Sequence, residues 1–253
     1  MRIARFTVGE EVDFGVVEGD EVAPITGHPF APFTFTGYRY PLSEVRLLAP
    51  IIPSKVVAVG KNYADHAEEM GGEIPFEPIV FLKPSTAIIG TGDAIVCPPS
   101  SHRVDFEGEL GVVIGRISKD VRVANALEHV LGYTCANDVT ARDQQAQDGQ
   151  WSRAKGYDTF CPLGPWIETQ LDPSDLGLTT TVNGEVKQQA RTSALLQSVP
   201  AMIAYITSVM TLLPGDVVLT GTPAGVGPLH PGDEVAVSVE GLGTLTNRVV
   251  ARD

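Results

Sequence analysis

Two glutamates one residue apart, Glu107 and Glu109, stand in the run Val104-Asp105-Phe106-Glu107-Gly108-Glu109-Leu110-Gly111-Val112-Val113-Ile114. The β-branched residues at its end predict a buried strand that closes at Gly115. Side chains alternate along a strand, so both carboxylates point to one face, about 7 Å apart. Two like charges beside an apolar run repel each other and lose hydration, and a hard divalent cation with oxygen ligands relieves both costs. The same spacing also fits a half-exposed strand with both glutamates in water. A third acid, Asp138, ends the strand-like segment Leu131 to Asp138 just before a polar, helix-permissive stretch, which is where mixed folds often hold ligands. Alternatively Asp138 or Thr140 caps that helix. His66 and Glu69 are i and i+3 on a short helix predicted after the strand Lys55 to Val59, so they neighbour each other. A carboxylate beside an imidazole orients it and raises its basicity, as a general base requires; on a surface the same pair is a plain ion pair. Lys83 leaves the buried strand Ile79 to Leu82 either as a contact for a substrate carboxylate or as the first solvated residue.

The elements that must position these groups belong to a chain of 253 residues, enough for one sizeable domain with a small addition. A formal charge of −13 argues against binding nucleic acid through its phosphates, but it leaves room for an anionic substrate in a cleft with local cations. The three cysteines fall in no Cys-x-x-Cys pattern and read as reduced small hydrophobes, which fits the cytoplasm. No signal peptide or membrane span is visible. Residues 1–50 read as a small N-terminal β subdomain, with 26–40 an ordered loop carrying aromatic anchors, and a boundary falls near Pro50 to Pro53. Residues 51–253 form the main domain. In it Gly71 to Pro78 has the composition of a lid or of an inert loop. Asn183-Gly184 signals a type I′ hairpin, and Pro200 to Leu213 is an amphipathic helix with its stripe toward the core. Gly221 to Gly227 is a glycine-rich turn without the P-loop lysine, whose amides or Thr222 hydroxyl could hold a carboxylate.

Five blocks taken in order resemble the fumarylacetoacetate hydrolase family over roughly residues 50 to 250. They are Val59-Gly60-Lys61-Asn62-Tyr63-Ala64-Asp65-His66, Phe81-Leu82-Lys83-Pro84-Ser85, Asp105 to Leu110, Asn137 to Asp143, and Leu219 to Gly227. The resemblance implies a mixed α+β, mostly β fold, a β-roll or β-sandwich with peripheral helices, assembled as a homodimer and holding Mg²⁺ or Mn²⁺. It implies Glu107, Glu109 and Asp138 as metal ligands, and His66 with Glu69 as a catalytic dyad joined by Lys155. Lys83, Arg142, Gln145 and Thr222, with Lys155 again, fall where such enzymes contact substrate. The implied chemistry is metal-stabilised enolate formation on small 2-oxo or 2-hydroxy-enoic diacids. That places isomerisation or decarboxylation of the 2-hydroxyhepta-2,4-diene-1,7-dioate type, or acylpyruvate hydrolysis, first, and oxaloacetate decarboxylation next. A non-catalytic metal-binding scaffold is the alternative of another class.

Overall fold

The computed structural model describes residues 1–69, 71 and 74–252. The chain is mostly β, as expected, and most strands belong to two large sheets. The larger, twelve-stranded sheet is centred on Gly108–Ile114, which pairs antiparallel with Val130–Asn137 on one side and with Val217–Leu219 on the other. Val56–Gly60 then runs parallel to Val217–Leu219, and Ile79–Lys83 closes that edge. A five-stranded sheet contains Glu185–Arg191, Gly177–Val182, Glu234–Val239, Gly243–Ala251 and Ala94–Cys97.

The central strand is buried on both faces, which explains its nearly continuous apolar run. Leu110, Val112 and Ile114 face a core shared with Leu178, Val237 and Val239 of the smaller sheet and with Met202, Ile203 and Ile206 of the helix Val199–Val209. Val113, between them in sequence, points to the opposite core with Ile3, Val56, Leu163 and Leu219. Alternation of side chains thus builds both layers from one strand. The helix is shorter than the expected Pro200 to Leu213; Met210 already lies past its end and packs against the first core from the side. Asn183 and Gly184 have φ of 52° and 80°, as the type I′ hairpin requires.

Three features of the chain bear on how the site is positioned. The run Val104 to Ile114 is two strands, because Val104–Phe106 joins a separate three-stranded sheet and the chain breaks at Glu107. Side chains capture the backbone there: the amide of Glu107 donates to Asn137 Oδ1 at 3.0 Å, and that of Gly108 to Gln188 Oε1 at 2.9 Å. A Cβ on Gly108 would lie 2.0 Å from Thr180 Oγ1, so the break needs glycine. Second, the first 50 residues are continuous with the main sheet. Arg2–Val8 pairs with Cys161–Glu168 as well as with its hairpin partner Glu11–Glu18, and in the 26–40 loop His28 stacks on Phe30, which packs against the main core, and meets Phe14 edge to face. Third, Asp138 and Thr140 cap no helix, since the next one starts at Arg142. Of the segment expected as a lid, Gly72 and Glu73 lie outside the described residues, as does Met70 before it; Phe76 is almost fully exposed. Among the described residues no helix is long and apolar enough to cross a membrane.

Candidate active site

The kink at Glu107 and the end of Val130–Asn137 meet at one point. Asp138 follows directly on that strand, and its amide donates to the carbonyl of Glu107 at 2.8 Å. Glu109 enters the sheet one residue past Gly108. Ligand oxygens of Glu107, Glu109 and Asp138 therefore converge within 4.8 Å of one another. All three acids are buried, which excludes the half-exposed strand with glutamates in water.

Buried carboxylates need compensation, and most of it is supplied by the chain. Arg142 Nη2 donates to Glu107 Oε1 at 2.6 Å, and Lys155 Nζ donates to Glu107 Oε2 at 2.9 Å and Asp138 Oδ2 at 2.7 Å. Lys83 Nζ takes the remaining Asp138 oxygen at 2.5 Å and also reaches the carbonyl of Val139. Burial works to raise the Glu107 carboxyl, but Lys155 and Arg142 outweigh it and hold it well below the usual carboxylate range. Glu109 is different. Among the described residues its carboxylate accepts one hydrogen bond, from the Gly221 amide at 2.7 Å, and joins no ion pair. Burial, followed by repulsion from Asp138 and Glu107, pushes its carboxyl well above the usual range. Three carboxylates converging, one of them without a countercharge, form a donor set that fits a hard divalent cation.

The glycine-rich turn after Val217–Leu219 does hold carboxylates, and they are the protein's own. The Gly221 amide binds Glu109, and the Gly225 amide binds Glu69 Oε1 at 3.0 Å. Both glycines are in the left-handed region, at φ 93° and 96°, and a Cβ on Gly225 would lie 2.1 Å from the Lys187 carbonyl. Glu69 Oε2 in turn lies 3.1 Å from His66 Nδ1. The pair is no surface ion pair, since His66 is buried and lines the same cavity as the three acids. With Nδ1 committed to Glu69, Nε2 is the nitrogen left to work as a base.

That cavity, of about 280 Å³, brings together His66, Glu107, Glu109, Asp138, Arg142, Gln145, Lys155 and Thr222. Glu69 stands one bond behind His66. Lys83 does not reach the wall: it is fully buried behind Asp138, so it is also not the first solvated residue after its strand. Arg142 is fully engaged, with Nε on Asp105 and Nη1 on Gln145 Oε1. The Thr222 hydroxyl donates to the Gly108 carbonyl and accepts from Gln188 Nε2, so it fastens the kink to the turn.

Residues 55–250 match the family model described as fumarylacetoacetate (FAA) hydrolase, C-terminal. The chain belongs to the fumarylacetoacetate hydrolase family. Residues 1–50 match a second model, Rv2993c-like, N-terminal. Protein Rv2993c of Mycobacterium tuberculosis is 56% identical over 100% of this chain and 99% of its own length. The bovine mitochondrial oxaloacetate tautomerase FAHD2A is 46% identical over 83% of this chain and 71% of its own. Among solved structures of the family, 2-hydroxyhepta-2,4-diene-1,7-dioate isomerase from Mycobacterium marinum superposes with a TM-score of 0.94 at 53% identity, covering 100% and 99% of the two chains. Maleylpyruvate hydrolase from Sphingobium sp. SYK-6, in complex with manganese(II) and pyruvate, gives 0.84 at 34% identity over 100% of both. As a fumarylacetoacetate hydrolase family member the chain is an enzyme of the isomerase and hydrolase kind, and the scaffold alternative falls.

Several residues at the site had no assigned role in the sequence reading. Asp105 anchors Arg103 and Arg142, Asn137 and Gln188 hold the kink, and Lys61, Phe81 and Trp151 line the cavity. Asp105 and Lys61 lie inside the motifs themselves, whereas Gln188 is 80 residues from the amide it holds and carries no local signal.

Proposed function

We propose that the chain is a divalent-metal-dependent enzyme that relocates a proton on small 2-oxo or 2-hydroxy-enoic diacids, of the 2-hydroxyhepta-2,4-diene-1,7-dioate isomerase type. The observation that carries this reading is that one cavity wall holds both the converging acids Glu107, Glu109 and Asp138 and an imidazole backed by a carboxylate. Mg²⁺ or Mn²⁺, held by those acids, supplies Lewis-acid stabilisation of negative charge developing on a 2-oxo oxygen. From a 2-hydroxy-2,4-dienoate, His66 would take the enol O–H proton at Nε2 and return it to the far end of the diene, at C5, leaving a 2-oxo-3-enoate, while Glu69 stabilises the imidazolium. Lys155 offers an ammonium to the substrate's oxygens. Phe81 and Trp151, edge to face with centroids 5.1 Å apart, give an apolar wall that keeps bulk water from the reacting carbons.

The named relatives support this assignment. They include a 2-hydroxyhepta-2,4-diene-1,7-dioate isomerase and an oxaloacetate tautomerase, and the Sphingobium complex holds manganese(II) together with pyruvate. Hydrolysis of an acylpyruvate is the second reading, favoured by that complex and by the capacity of His66 to activate water. A homodimer belongs to the same proposal and is checked by sedimentation.

The test is turnover of 2-hydroxyhepta-2,4-diene-1,7-dioate, acetylpyruvate and oxaloacetate in parallel, with Mg²⁺ or Mn²⁺ and with a chelator. Chelator-sensitive isomerisation is expected, and His66→Ala should cut it by roughly 10²–10⁴-fold while Mg²⁺ still binds. Isomerisation that survives His66→Ala would sink the role of the dyad, and turnover insensitive to the chelator would sink the metal.

A further inference from the structure

The cavity wall carries three lysine or arginine side chains, and two of them are already paired with acids. Arg142 is bonded to Asp105, Glu107 and Gln145, and Lys155 to Glu107 and Asp138. Lys61 lines the same cavity, and among the described residues it has no ion pair. A half-exposed ammonium without an ion pair on a cavity wall is a receptor for an anion.

The backbone holds Lys61 in place. It follows the strand Val56–Gly60 and has φ 55°, a left-handed conformation that a side-chain-bearing residue rarely adopts. Asn62, next to it, is pinned by bonds from its Nδ2 to the carbonyls of Thr220 and Gln197 and by the Gln197 amide on its Oδ1. Gly60, on the other side, is covered so closely by Trp151 that a Cβ would lie 2.8 Å from the indole. Both neighbours are fixed, so the left-handed turn is imposed and Lys61 is delivered to the cavity rim.

The aromatic pair connects the surroundings of Lys155 with those of Lys61. Lys155 Nζ lies 5.0 Å from the Phe81 ring centroid, Phe81 meets Trp151, and Trp151 covers Gly60. Lys155 therefore meets one member of this aromatic pair, and Lys61 follows the glycine that the other member covers. We propose that Lys61 is a specificity-determining residue that receives the second carboxylate of a diacid whose 2-oxo acid end lies at the three acids. An unsaturated spacer between the two carboxylates lies flat against Phe81 and Trp151. This inference rests on the 2-oxo acid reading above and adds to it the residue that receives the second carboxylate.

The experiment is equilibrium binding by calorimetry in Mg²⁺, comparing 2-oxoadipate with its monoacid counterpart 2-oxohexanoate, which needs no turnover. The wild-type chain should bind the diacid roughly tenfold or more tightly, as expected for one charge-assisted contact. Lys61→Met should bring the two dissociation constants to within about twofold, and Lys61→Arg, which keeps the charge, should keep a diacid advantage. A diacid advantage that persists in Lys61→Met, or an equal loss for both acids, overturns the assignment. If neither acid binds to the wild type, the 2-oxo acid reading itself has failed, and the role of Lys61 falls with it.

Discussion

Replacing Lys155 by Met removes a buried ammonium and keeps an unbranched stem, and the consequences for the apo and metal-bound protein have opposite signs. Lys155 Nζ occupies Glu107 Oε2 and Asp138 Oδ2, the oxygens that Arg142 and Lys83 leave open. A divalent ion drawing on the same acids has to push that ammonium aside. A divalent ion and an ammonium within several ångström of each other, at an effective dielectric near 20, would repel by on the order of several kcal/mol. Relaxation and water entry remove much of this, and about 1.4 kcal/mol surviving is enough for a tenfold effect. Lys155→Met should therefore bind Mg²⁺ at least about tenfold more tightly than the wild type. Without metal, the same change strips a countercharge from two buried carboxylates, which costs about 3 kcal/mol. For a chain of this size that lowers the melting temperature by about 6–12 °C. Melting in a chelator and across a Mg²⁺ titration, together with a calorimetric dissociation constant, reads both effects. The reasoning fails if the metal-free variant melts with the wild type, or if its Mg²⁺ affinity is unchanged or weaker.

Glu109→Gln probes the one acid of the three without a cation. Because burial and two neighbouring carboxylates already disfavour its charged form, the neutral variant should melt in chelator at least as high as the wild type, while the stabilisation by Mg²⁺ disappears. A retained Mg²⁺ shift would remove Glu109 from the ligand set. Asp216 gives the pH dependence. Burial works to raise its carboxyl, but the Leu213 amide, Lys55 and Ser54 prevail and hold it below the ordinary aspartate value. A folded value below the unfolded one contributes stability that is complete above about pH 4 and is lost as pH falls toward the folded value. Urea unfolding from pH 7 to pH 3 should therefore show a steeper acid loss for the wild type than for Asp216→Asn, which starts lower at pH 7; parallel profiles would refute the assignment.

What the sequence made legible was local, and what it hid depends on distant contacts. The apolar runs around Val112 and Val218 announce buried strands, and Asn183-Gly184 announces its hairpin, because each signal lies within a few residues. The convergence of Glu107, Glu109 and Asp138 was expected from strand alternation and family resemblance, yet alternation supplies only part of it. The chain kinks at Glu107 because Asn137 and Gln188 take the amides that a sheet ladder would use. Lys83 shows the limit from the other side. At a strand end a lysine reads as a cavity contact or a solvated residue, and only the packing of Asp138 and Val139 against it shows a fully buried counterion. The glycine-rich turn was read correctly as a carboxylate holder, but nothing in its own residues says that the carboxylates are Glu109 and Glu69.

The distribution of charge explains how so acidic a chain could take a dianion. A formal charge of −13 repels such a substrate at long range, and salt screens that repulsion beyond about 8 Å at physiological ionic strength. Inside the site the local balance decides. Asp105, Glu107, Glu109 and Asp138 are matched by Arg103, Arg142, Lys83 and Lys155, so the inner cluster is close to neutral before anything binds. Lys61 adds one positive charge at the rim, and a divalent ion on the three acids would add two more. A monoanion would then leave the cavity with excess positive charge in a poorly solvated space, whereas a dianion spanning both ends removes most of it. Preference for a diacid is thus a property of the whole cluster. It should fall to within about twofold in Lys61→Met, while chelating the metal should weaken both acids, and a diacid advantage that survives Lys61→Met would place its source elsewhere.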